Sequence, residues 1–405
     1  MSIQISLSSY FLYKILRKFK IIDLYDYYLF LLQFLMREIA FLVDSKKNNE
    51  KVYMSYYNTY THPAIIDRNY GSKAPQYLSN FKSSSIIHCI QYPNPNKNYL
   101  GKKIIIEPND HCLVIGGALG ILDPAEAVAS CKSISDYIAS PKVSRVLLGD
   151  NELINHARFY FSEDALKKFI IYPEMACTPE ITKLKLNEKK KRLLETAEIR
   201  YLSLASSYKI KAVDLLLEAF ITAKIKGNLT IVCHDIPENI EKKIFKNKNI
   251  NLIKKIPLTK KIKKQLYSSA DVYINTTYID SNYAAVEALN YGMPIITNEY
   301  HRGKSLVKNK NGILIKEPMK YYEPERYGVE WNSFQGYLEQ IYLLKKRGGF
   351  DDFILQFINA FKYYEDEPLN VLKDGINSLE LAEKNSLEKS NKALRDIYKL
   401  VAQET

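Results

Sequence analysis

The sequence predicts an α/β protein with two domains, each built on a parallel sheet. In residues 51–190, and again in residues 195–330, short apolar and β-branched runs alternate with helical patterns, as in strand–helix–strand units. The chain has 405 residues and a hydrophobic content of 46%, which is enough for two packed cores. Further helical segments precede and follow the two domains, over residues 1–50 and 331–405.

The first segment, residues 1–50, is rich in aromatic, leucine and lysine residues. Residues 10–20 are basic and amphipathic, and the apolar stretch 29–36 is too short for a membrane span of about 20 residues. No cleavage site typical of a signal peptide follows. Two interpretations stay open: an interfacial helix on an anionic membrane surface, or a pair of helices packed on the first domain. The expected location is cytoplasmic, and peripheral on the membrane under the first interpretation.

The first domain is predicted over residues 51–190. A helix is expected over residues 125–138. Five strands are expected, at residues 52–54, 86–90, 103–106, 146–148 and 169–172. The third of these ends at Glu107, and Asp110 and His111 follow in the loop. Ligands of open α/β sheets bind at the carboxyl ends of the strands, so this loop is a candidate site. A structural histidine with no role in binding is the alternative.

The second domain follows a highly charged linker, residues 183–196. Strands are expected at residues 200–204, 229–233, 250–253, 272–274 and from 295, with helices over 212–223 and 257–267. The most informative stretch is 270–294: a strand, a polar loop over residues 275–282, a helix, and a stop at Gly292. A loop that feeds a helix N-terminus at this edge of a sheet is a natural anion site.

Glu287 lies one to two turns inside that helix. A carboxylate on the ligand-facing side can accept hydrogen bonds from two vicinal hydroxyls, such as those of a ribose. The alternative is a solvated helix residue. After the second domain, residues 331–346, 351–364 and 378–401 are predicted to be helical.

Two stretches of the second domain resemble retaining "group 1" (family 4) glycosyltransferases of the GT-B fold. The family pattern E-G-F-G-x-x-x-x-E-A-x-x-x-G-x-P-V-I is matched in its second half by Glu287-Ala288, Gly292 and Pro294-Ile295-Ile296, followed later by Asn311 to Ile315. The first Glu falls on Ile279, and the two glycines fall on Asp280 and Asn282. Asp280, one position along, is the substitute carboxylate.

The earlier stretch resembles the family pattern V-G-R-x-x-x-x-K-G-x-D-x-L-L-x-A-F. The residues that match are Lys211, Asp214, Leu216, Leu217, Ala219 and Phe220. The family's Arg and Lys hold the donor diphosphate. Here the Arg position is Ser206 and the Gly position is Ala205, and Lys209 is the substitute cation.

The resemblance implies two Rossmann-like domains that face a central cleft. It implies transfer of a sugar from a nucleotide-sugar to a glycan or lipid-linked acceptor, with retention of configuration. The nucleotide-sugar is a substrate, so no cofactor is expected. The first domain would supply His111, with Asp110 beside it, as catalytic residues. The donor-binding residues implied are Lys211, Ser206, Lys209, Asp280, Ser281, Asn282, Tyr283 and Glu287. The C-terminal helices would brace the first domain.

Composition adds little that is specific. The net charge of +13 comes from 58 basic and 45 acidic residues, with lysine clusters at 189–192, 254–255 and 260–264. No nucleic-acid motif with interleaved aromatic residues accompanies them, so no nucleic-acid partner is expected. The five cysteines form no C-x-x-C pair, and no carboxylate cluster suggests a metal.

Three alternatives remain at this point. Another enzyme of the GT-B type, such as an epimerase or a phosphorylase, would share the fold. A non-catalytic relic that binds a nucleotide or a sugar would explain the replaced Glu, Arg and Gly positions. A nucleic-acid binder would explain the charge.

Overall fold

The computed structural model describes residues 39–44, 51–56, 86–90 and 103–107, and most of residues 132–404. Within the last stretch, the residues outside the described part are 133, 150, 159–160, 173–176, 182, 206, 210, 255–257, 279–282, 300–302, 309 and 319–333. In the described part the chain forms two separate six-stranded sheets.

The first sheet has its six strands in their order along the chain. The first two strands are antiparallel, and all later neighbours are parallel. The strands are β1 (Ile39–Asp44), β2 (Lys51–Tyr56), β3 (Ile86–Ile90), β4 (Lys103–Glu107), β5 (Val143–Leu148) and β6 (Phe169–Ile171).

Strand β1 differs from the prediction, which made residues 1–50 helical. The segment is rich in residues that favour extended backbone, among them Ile39, Phe41 and Val43. It pairs antiparallel with β2 along the full length of both strands, and the ladder hydrogen bonds of that pair decide the conformation. Residues 1–38, which carry the basic amphipathic run, lie outside the described part.

The second sheet is parallel throughout, with the order β12-β11-β10-β7-β8-β9. The strands are β7 (Arg200–Leu204), β8 (Asn228–Val232), β9 (Ile250–Ile253), β10 (Val272–Asn275), β11 (Ile295–Asn298) and β12 (Gly312–Ile315). The strand order reverses between β7 and β10, as in a doubly wound sheet. The two predicted parallel-sheet domains are confirmed.

Helices connect the strands and extend the chain at its end. They are α1 (Asn151–Ala157), α2 (Glu163–Leu166), α3 (Lys183–Thr196), α4 (Val213–Ala223), α5 (Glu238–Phe245), α6 (Lys260–Ser269), α7 (Tyr283–Leu289), α8 (Gly303–Leu306), α9 (Phe334–Lys346), α10 (Asp351–Asp366), α11 (Asn370–Lys384) and α12 (Leu387–Gln403). Residues 134–139 are also helical. None of the helices in the described residues is long and apolar enough to cross a membrane.

The second sheet is covered on both faces. Tyr201 and Ile274 pack in a core with α4 and α10 on one face. Leu202 and Tyr273 pack with α6, α7 and α11 on the other. This alternation follows from the two-residue period of a strand. It places α4 and α7 on opposite sides of the sheet.

The C-terminal helices divide between the two sheets. Helix α10 packs on α4 and α11 on α7. Helix α12 instead packs on the first sheet, where Leu394, Tyr398 and Val401 join a core with Ile86 and other strand residues. The predicted continuous helix over residues 378–401 is wrong, because Asn385 and Ser386 separate α11 from α12. Ser386 is the N-cap of α12, and its hydroxyl accepts a hydrogen bond from the Lys389 amide.

The predicted linker, residues 183–196, is the helix α3, and it is attached to the second sheet. Arg192 Nη2 donates to both carboxylate oxygens of Asp271, at 2.5 and 2.6 Å. The Arg200 amide donates to the same carboxylate at 2.9 Å, and Lys189 Nζ lies 3.8 Å away. Asp271 is fully buried at the start of β10. Burial lowers the pKa of Lys189, although Asp271 opposes that shift.

The segment that leads from the first sheet to the second contacts the segment that returns to the first sheet. The Cys177 amide donates to Asn385 O at 3.0 Å, and the Leu387 amide donates to Cys177 O at 2.9 Å. On one side of this junction, the hydroxyls of Tyr172 and Ser390 lie 3.2 Å apart. On the other, the Thr178 amide donates to Asn290 Oδ1 at 2.8 Å.

Two buried cysteines are expected to resist alkylation. Burial raises the pKa of Cys177 to about 12, and burial together with a hydrogen bond to Asp235 raises the pKa of Cys233 to about 12. At pH 8 only roughly one thiol in ten thousand would then be a thiolate, which is the reactive form. Peptide mapping after iodoacetamide treatment should find both unmodified in the native protein and both modified in urea. Rapid native labelling at either position would contradict the burial described here.

Candidate active site

The candidate site lies where the strand order of the second sheet reverses. The carboxyl ends of β7 and β10 are neighbours there, and the loops after these strands diverge to opposite faces of the sheet. The β7 loop leads to Lys211 at the start of α4, and the β10 loop leads to α7. The two loops are joined directly, because Thr276 Oγ1 donates to Lys211 O at 2.6 Å. Ligands of open α/β sheets bind in this crevice.

Lys211 is held in place by its loop and is only 3% exposed. The loop is in turn fixed by Asp235, which follows β8. The Tyr208 amide donates to Asp235 Oδ1 at 2.6 Å, and Ser207 Oγ donates to Oδ2 at 2.9 Å. Burial alone would raise the pKa of Asp235, but the hydrogen bonds from Tyr208, Cys233 and Ser207 together lower it. Asp235 therefore stays ionised and keeps the β7 loop in one conformation.

The start of the β10 loop is fixed by a buried polar network. Asn275 Nδ2 donates to Thr297 Oγ1 at 3.0 Å. The Thr277 amide donates to Asn298 Oδ1 at 3.1 Å, and Asn298 Nδ2 donates to Thr277 O at 2.8 Å. Buried amides paired in this way make a rigid edge. The edge of the sheet beside Lys211 is therefore pre-formed.

Glu287 is paired with two residues of α6 rather than solvated alone. Lys263 Nζ lies 2.7 Å from each carboxylate oxygen. Tyr267 OH lies 2.7 Å from Glu287 Oε2 and 3.0 Å from Ala284 O. Burial, followed by Tyr273 and Glu287, raises the pKa of Tyr267 well above its usual range, so the phenol remains a donor. Both contacts orient a carboxylate that is still one-third exposed.

The first domain contributes a buried group next to the predicted catalytic loop. His88 Nδ1 lies 2.6 Å from Tyr398 OH, and His88 Nε2 lies 3.1 Å from Glu107 Oε2. The rings of His88 and Tyr398 meet edge to face at 5.7 Å. This group connects the end of β4 to α12. It fixes the residue from which the loop of Asp110 and His111 starts.

The predicted site residues are placed unequally. Lys211 lies in the β7 loop at the crevice, Glu287 lies in α7, which follows the β10 loop, and Lys209 is exposed in the β7 loop. Of Tyr283 only the backbone, in α7, is described. The remaining predicted residues lie outside the described part: Asp110, His111, Ser206, Asp280, Ser281 and Asn282.

Sequence reasoning missed the residues that hold the predicted ones. Lys263, Tyr267, Thr276 and Asp235 come from three different segments: α6, the β10 loop and the loop after β8. The only available signal was that Lys263 and Tyr267 lie four residues apart, and so on one face of the basic helix. The described residues include no group of three or more His, Cys, Asp or Glu side chains arranged to hold a metal ion.

Comparison with known protein families gives a match over one part of the chain. Residues 199–323 match the family described as Glycosyl transferases group 1. The matched residues include β7 to β12 and both loops of the crevice. No match was found among curated proteins. The matched part of the chain is therefore similar in sequence to that group of transferases.

Solved structures resemble the chain over both domains. The crystal structure of Anabaena Alr3699/HepE in complex with UDP superposes with a TM-score of 0.50 and 11% identity, over 78% of this chain and 79% of that chain. The same protein with UDP and glucose gives a TM-score of 0.50 and 10% identity, over 78% of each chain. At this identity the likeness shows the fold. The chain has the GT-B fold that the sequence predicted.

Proposed function

We propose that this protein is a glycosyltransferase that moves a sugar from a nucleotide-sugar donor to a glycan or lipid-linked acceptor. The observation that carries the proposal is the joining of the Lys211 loop to the β10 loop at the strand-order reversal. The sequence around that crevice is similar to group 1 glycosyl transferases. HepE, which has the same fold, was crystallised with UDP and with UDP and glucose.

Lys211 would bind the donor diphosphate. Cleavage of the bond between the sugar and the diphosphate increases the negative charge on the leaving group. A fixed ammonium stabilises that charge more in the transition state than in the ground state, since it needs no reorganisation. The buried position of Lys211 strengthens the effect, because the local dielectric is low. On this account the leaving group needs no metal ion.

Glu287 would bind the ribose of the nucleotide. A carboxylate can accept hydrogen bonds from both hydroxyls of a ribose, and hydrogen bonds to a charged acceptor are strong. Lys263 and Tyr267 occupy part of its capacity and hold it in one orientation. A bound ribose would share the carboxylate with these two residues.

The first domain would bind the acceptor and supply His111 and Asp110 to the reacting sugar. Closure of the two domains would exclude water and align an acceptor hydroxyl with C1 of the donor sugar. Transfer would proceed with retention of configuration, as in the retaining members of the group that the sequence resembles. A lipid-linked acceptor would bring the protein to the cytoplasmic face of a membrane.

A panel of nucleotide-sugars tests the proposal. UDP-, GDP- and ADP-sugars are incubated with the protein, and the released nucleotide is measured with and without acceptor glycans, in EDTA throughout. We expect release from at least one donor in the presence of acceptor, unaffected by EDTA. Release of nucleotide with free phosphate as the only acceptor would indicate a phosphorylase. Binding without release from any donor would favour a non-catalytic relic.

Glu287→Gln should weaken nucleotide binding. The amide keeps the shape of the side chain but loses its charge, and a hydrogen bond to a charged group contributes about 1.5–3 kcal/mol. We expect the affinity for UDP or GDP, measured by calorimetry, to fall at least tenfold. The preference for the ribonucleotide over its 2′-deoxy form should also fall.

Glu180→Gln is the matched control. Glu180 is also one-third exposed and also pairs with a lysine of α6, Lys264, at 2.6 Å, but it lines a cavity with Asp271 at the opposite edge of the sheet. It should bind nucleotide like the wild type. Equal losses in both variants would show that the loss follows from α6 and not from ribose recognition.

A further inference from the structure

A second cavity opens beside the crevice, on the α4 face of the second sheet. Its volume is about 320 Å³, which is in the range of small-ligand sites. We call it the tyrosine cavity. Its lining residues are Tyr208, Lys209, Asp214, Tyr278, Glu339, Ile341, Tyr342 and Lys345. Tyr208 belongs to the β7 loop and Tyr278 to the β10 loop, so both loops of the crevice also form this cavity.

The tyrosine cavity and the Glu287 carboxylate lie on opposite sides of the sheet. Tyr278 and Ile341 pack in the core with α4 and α10, whereas Tyr267, which contacts Glu287, packs in the core with α7. A nucleotide whose ribose is at Glu287 and whose diphosphate is at Lys211 therefore has its ribose and base on the face of the sheet opposite to this cavity. The cavity is therefore available to a part of the donor or acceptor other than the ribose and the base.

The walls of the tyrosine cavity are fixed by hydrogen bonds. Asp214 Oδ1 accepts a hydrogen bond from Tyr278 OH at 3.3 Å, and Asp214 Oδ2 accepts one from Lys345 Nζ at 2.7 Å. Phe350 supports the Tyr278 ring edge to face at 5.8 Å. Lys346 Nζ lies 4.7 Å from the centre of the Tyr342 ring. The Tyr278 ring is thus held before any ligand binds.

The charges of the lining select against a phosphate. Lys209 and Lys345 contribute two positive charges, and Asp214 and Glu339 contribute two negative charges, so the lining is neutral overall. A nucleotide or a phosphate would gain little there. A neutral ligand with both an apolar face and many hydroxyls fits better. Its C–H groups can pack on the negative faces of tyrosine rings, and its hydroxyls can bond to the carboxylates and ammonium groups.

We propose that the tyrosine cavity is a subsite for one neutral sugar ring of the acceptor, held on the second domain. That the sugar belongs to an acceptor rests on the proposed function, whereas binding of a sugar in the cavity does not. The subsite lies next to Lys211 along the sheet edge. It would hold an extended acceptor by a ring other than the one that reacts, and so select for acceptors longer than one sugar.

Saturation-transfer NMR on the full-length protein tests this proposal. The probes are methyl α-D-glucopyranoside, methyl α-D-galactopyranoside and methyl N-acetyl-β-D-glucosaminide, with selective irradiation of aromatic protons. We expect saturation of at least one probe. Tyr342→Ala should reduce the signal at least fivefold, because the ring that the sugar packs on is removed. Tyr342 is 57% exposed, so this change should leave the fold intact.

Two matched variants separate the ring from the helix that carries it. Tyr342→Phe keeps the ring and should bind like the wild type. Leu343→Ala changes the next residue of α9, which is also exposed and lies outside the lining, and it should bind like the wild type. No saturation of any probe by the wild type, or equal signals from wild type and Tyr342→Ala, would overturn the proposal.

Competition with nucleotides distinguishes this proposal from the proposed function. Saturating UDP or GDP should leave the sugar signal unchanged, and a signal lost in proportion to nucleotide would assign the cavity to the donor and overturn the inference. Sugar binding that depends on Tyr342, in a protein that binds no nucleotide, would uphold the subsite and remove the transferase function. Nucleotide binding without any sugar binding would overturn the subsite and leave the proposed transferase function standing.

Discussion

Lys211→Met should lower kcat/KM with the best nucleotide-sugar roughly 100-fold, the usual size of losing one fixed group that stabilises transition-state charge. Methionine keeps an unbranched apolar side chain in a position that is almost fully buried, so the change removes the ammonium and little else. The release of nucleotide in the presence of acceptor measures the effect. Calorimetry with UDP and GDP shows how much of it is lost binding.

Comparison with Lys209→Met shows which of the two lysines binds the donor diphosphate. Both lysines are predicted donor ligands, and they lie two residues apart in the same loop. Lys209, however, is exposed and lines the tyrosine cavity. We expect less than a threefold change at Lys209. Equal losses at the two positions would mean that the loop contributes only general positive charge, and no loss at Lys211 would refute its assignment to the diphosphate.

Asp271→Ala should destabilise the second domain by about 3–5 kcal/mol, since removal of one partner leaves buried charge without compensation. Asp271 accepts three hydrogen bonds, two from Arg192 and one from the Arg200 amide, and Lys189 is buried beside it. The melting temperature of the domain, measured by calorimetry, should fall by roughly 10 °C.

Glu195→Ala is the control, on the helix α3 that Asp271 contacts through Arg192. Glu195 forms an exposed pair with Lys191 at 3.9 Å, and such pairs contribute about 0–1 kcal/mol. The melting temperature of the Glu195→Ala variant should therefore stay close to that of the wild type. The double variant Asp271→Leu with Lys189→Met should recover part of the loss, because two apolar side chains replace two buried charges. A mild effect of Asp271→Ala alone would show that α3 is not anchored through this carboxylate.

The second domain could be predicted from sequence because its signals are local. The strand at Val272 is apolar and β-branched, and the helix after it ends at Gly292, which has a φ of +58°, a conformation that favours glycine. The matches around Lys211 and Glu287 are likewise short and in order. All ten predicted strands are present.

The rest depends on contacts between distant segments, which spacing does not reveal. Lys263 meets Glu287 only because α6 and α7 lie on the same face of the sheet. Likewise, Arg192 meets Asp271 only because α3 lies beside the amino end of β10. The break at Ser386 has a local cap, but the reason for it is that α12 belongs to the other sheet. The β1 strand depends on its partner β2, and a helical assignment for residues 1–50 ignored that partner.

The contact between Cys177 and Leu387 has a mechanical consequence. The chain passes between the two lobes twice, and among the described residues the two passages share backbone hydrogen bonds at Cys177, which bonds to Asn385 and Leu387. Two connections that meet at a single point act as a pivot. Rotation of one lobe about that junction breaks neither backbone hydrogen bond, because both bonds join one connection to the other. We therefore expect the cleft to open and close by a hinge rotation of one lobe relative to the other.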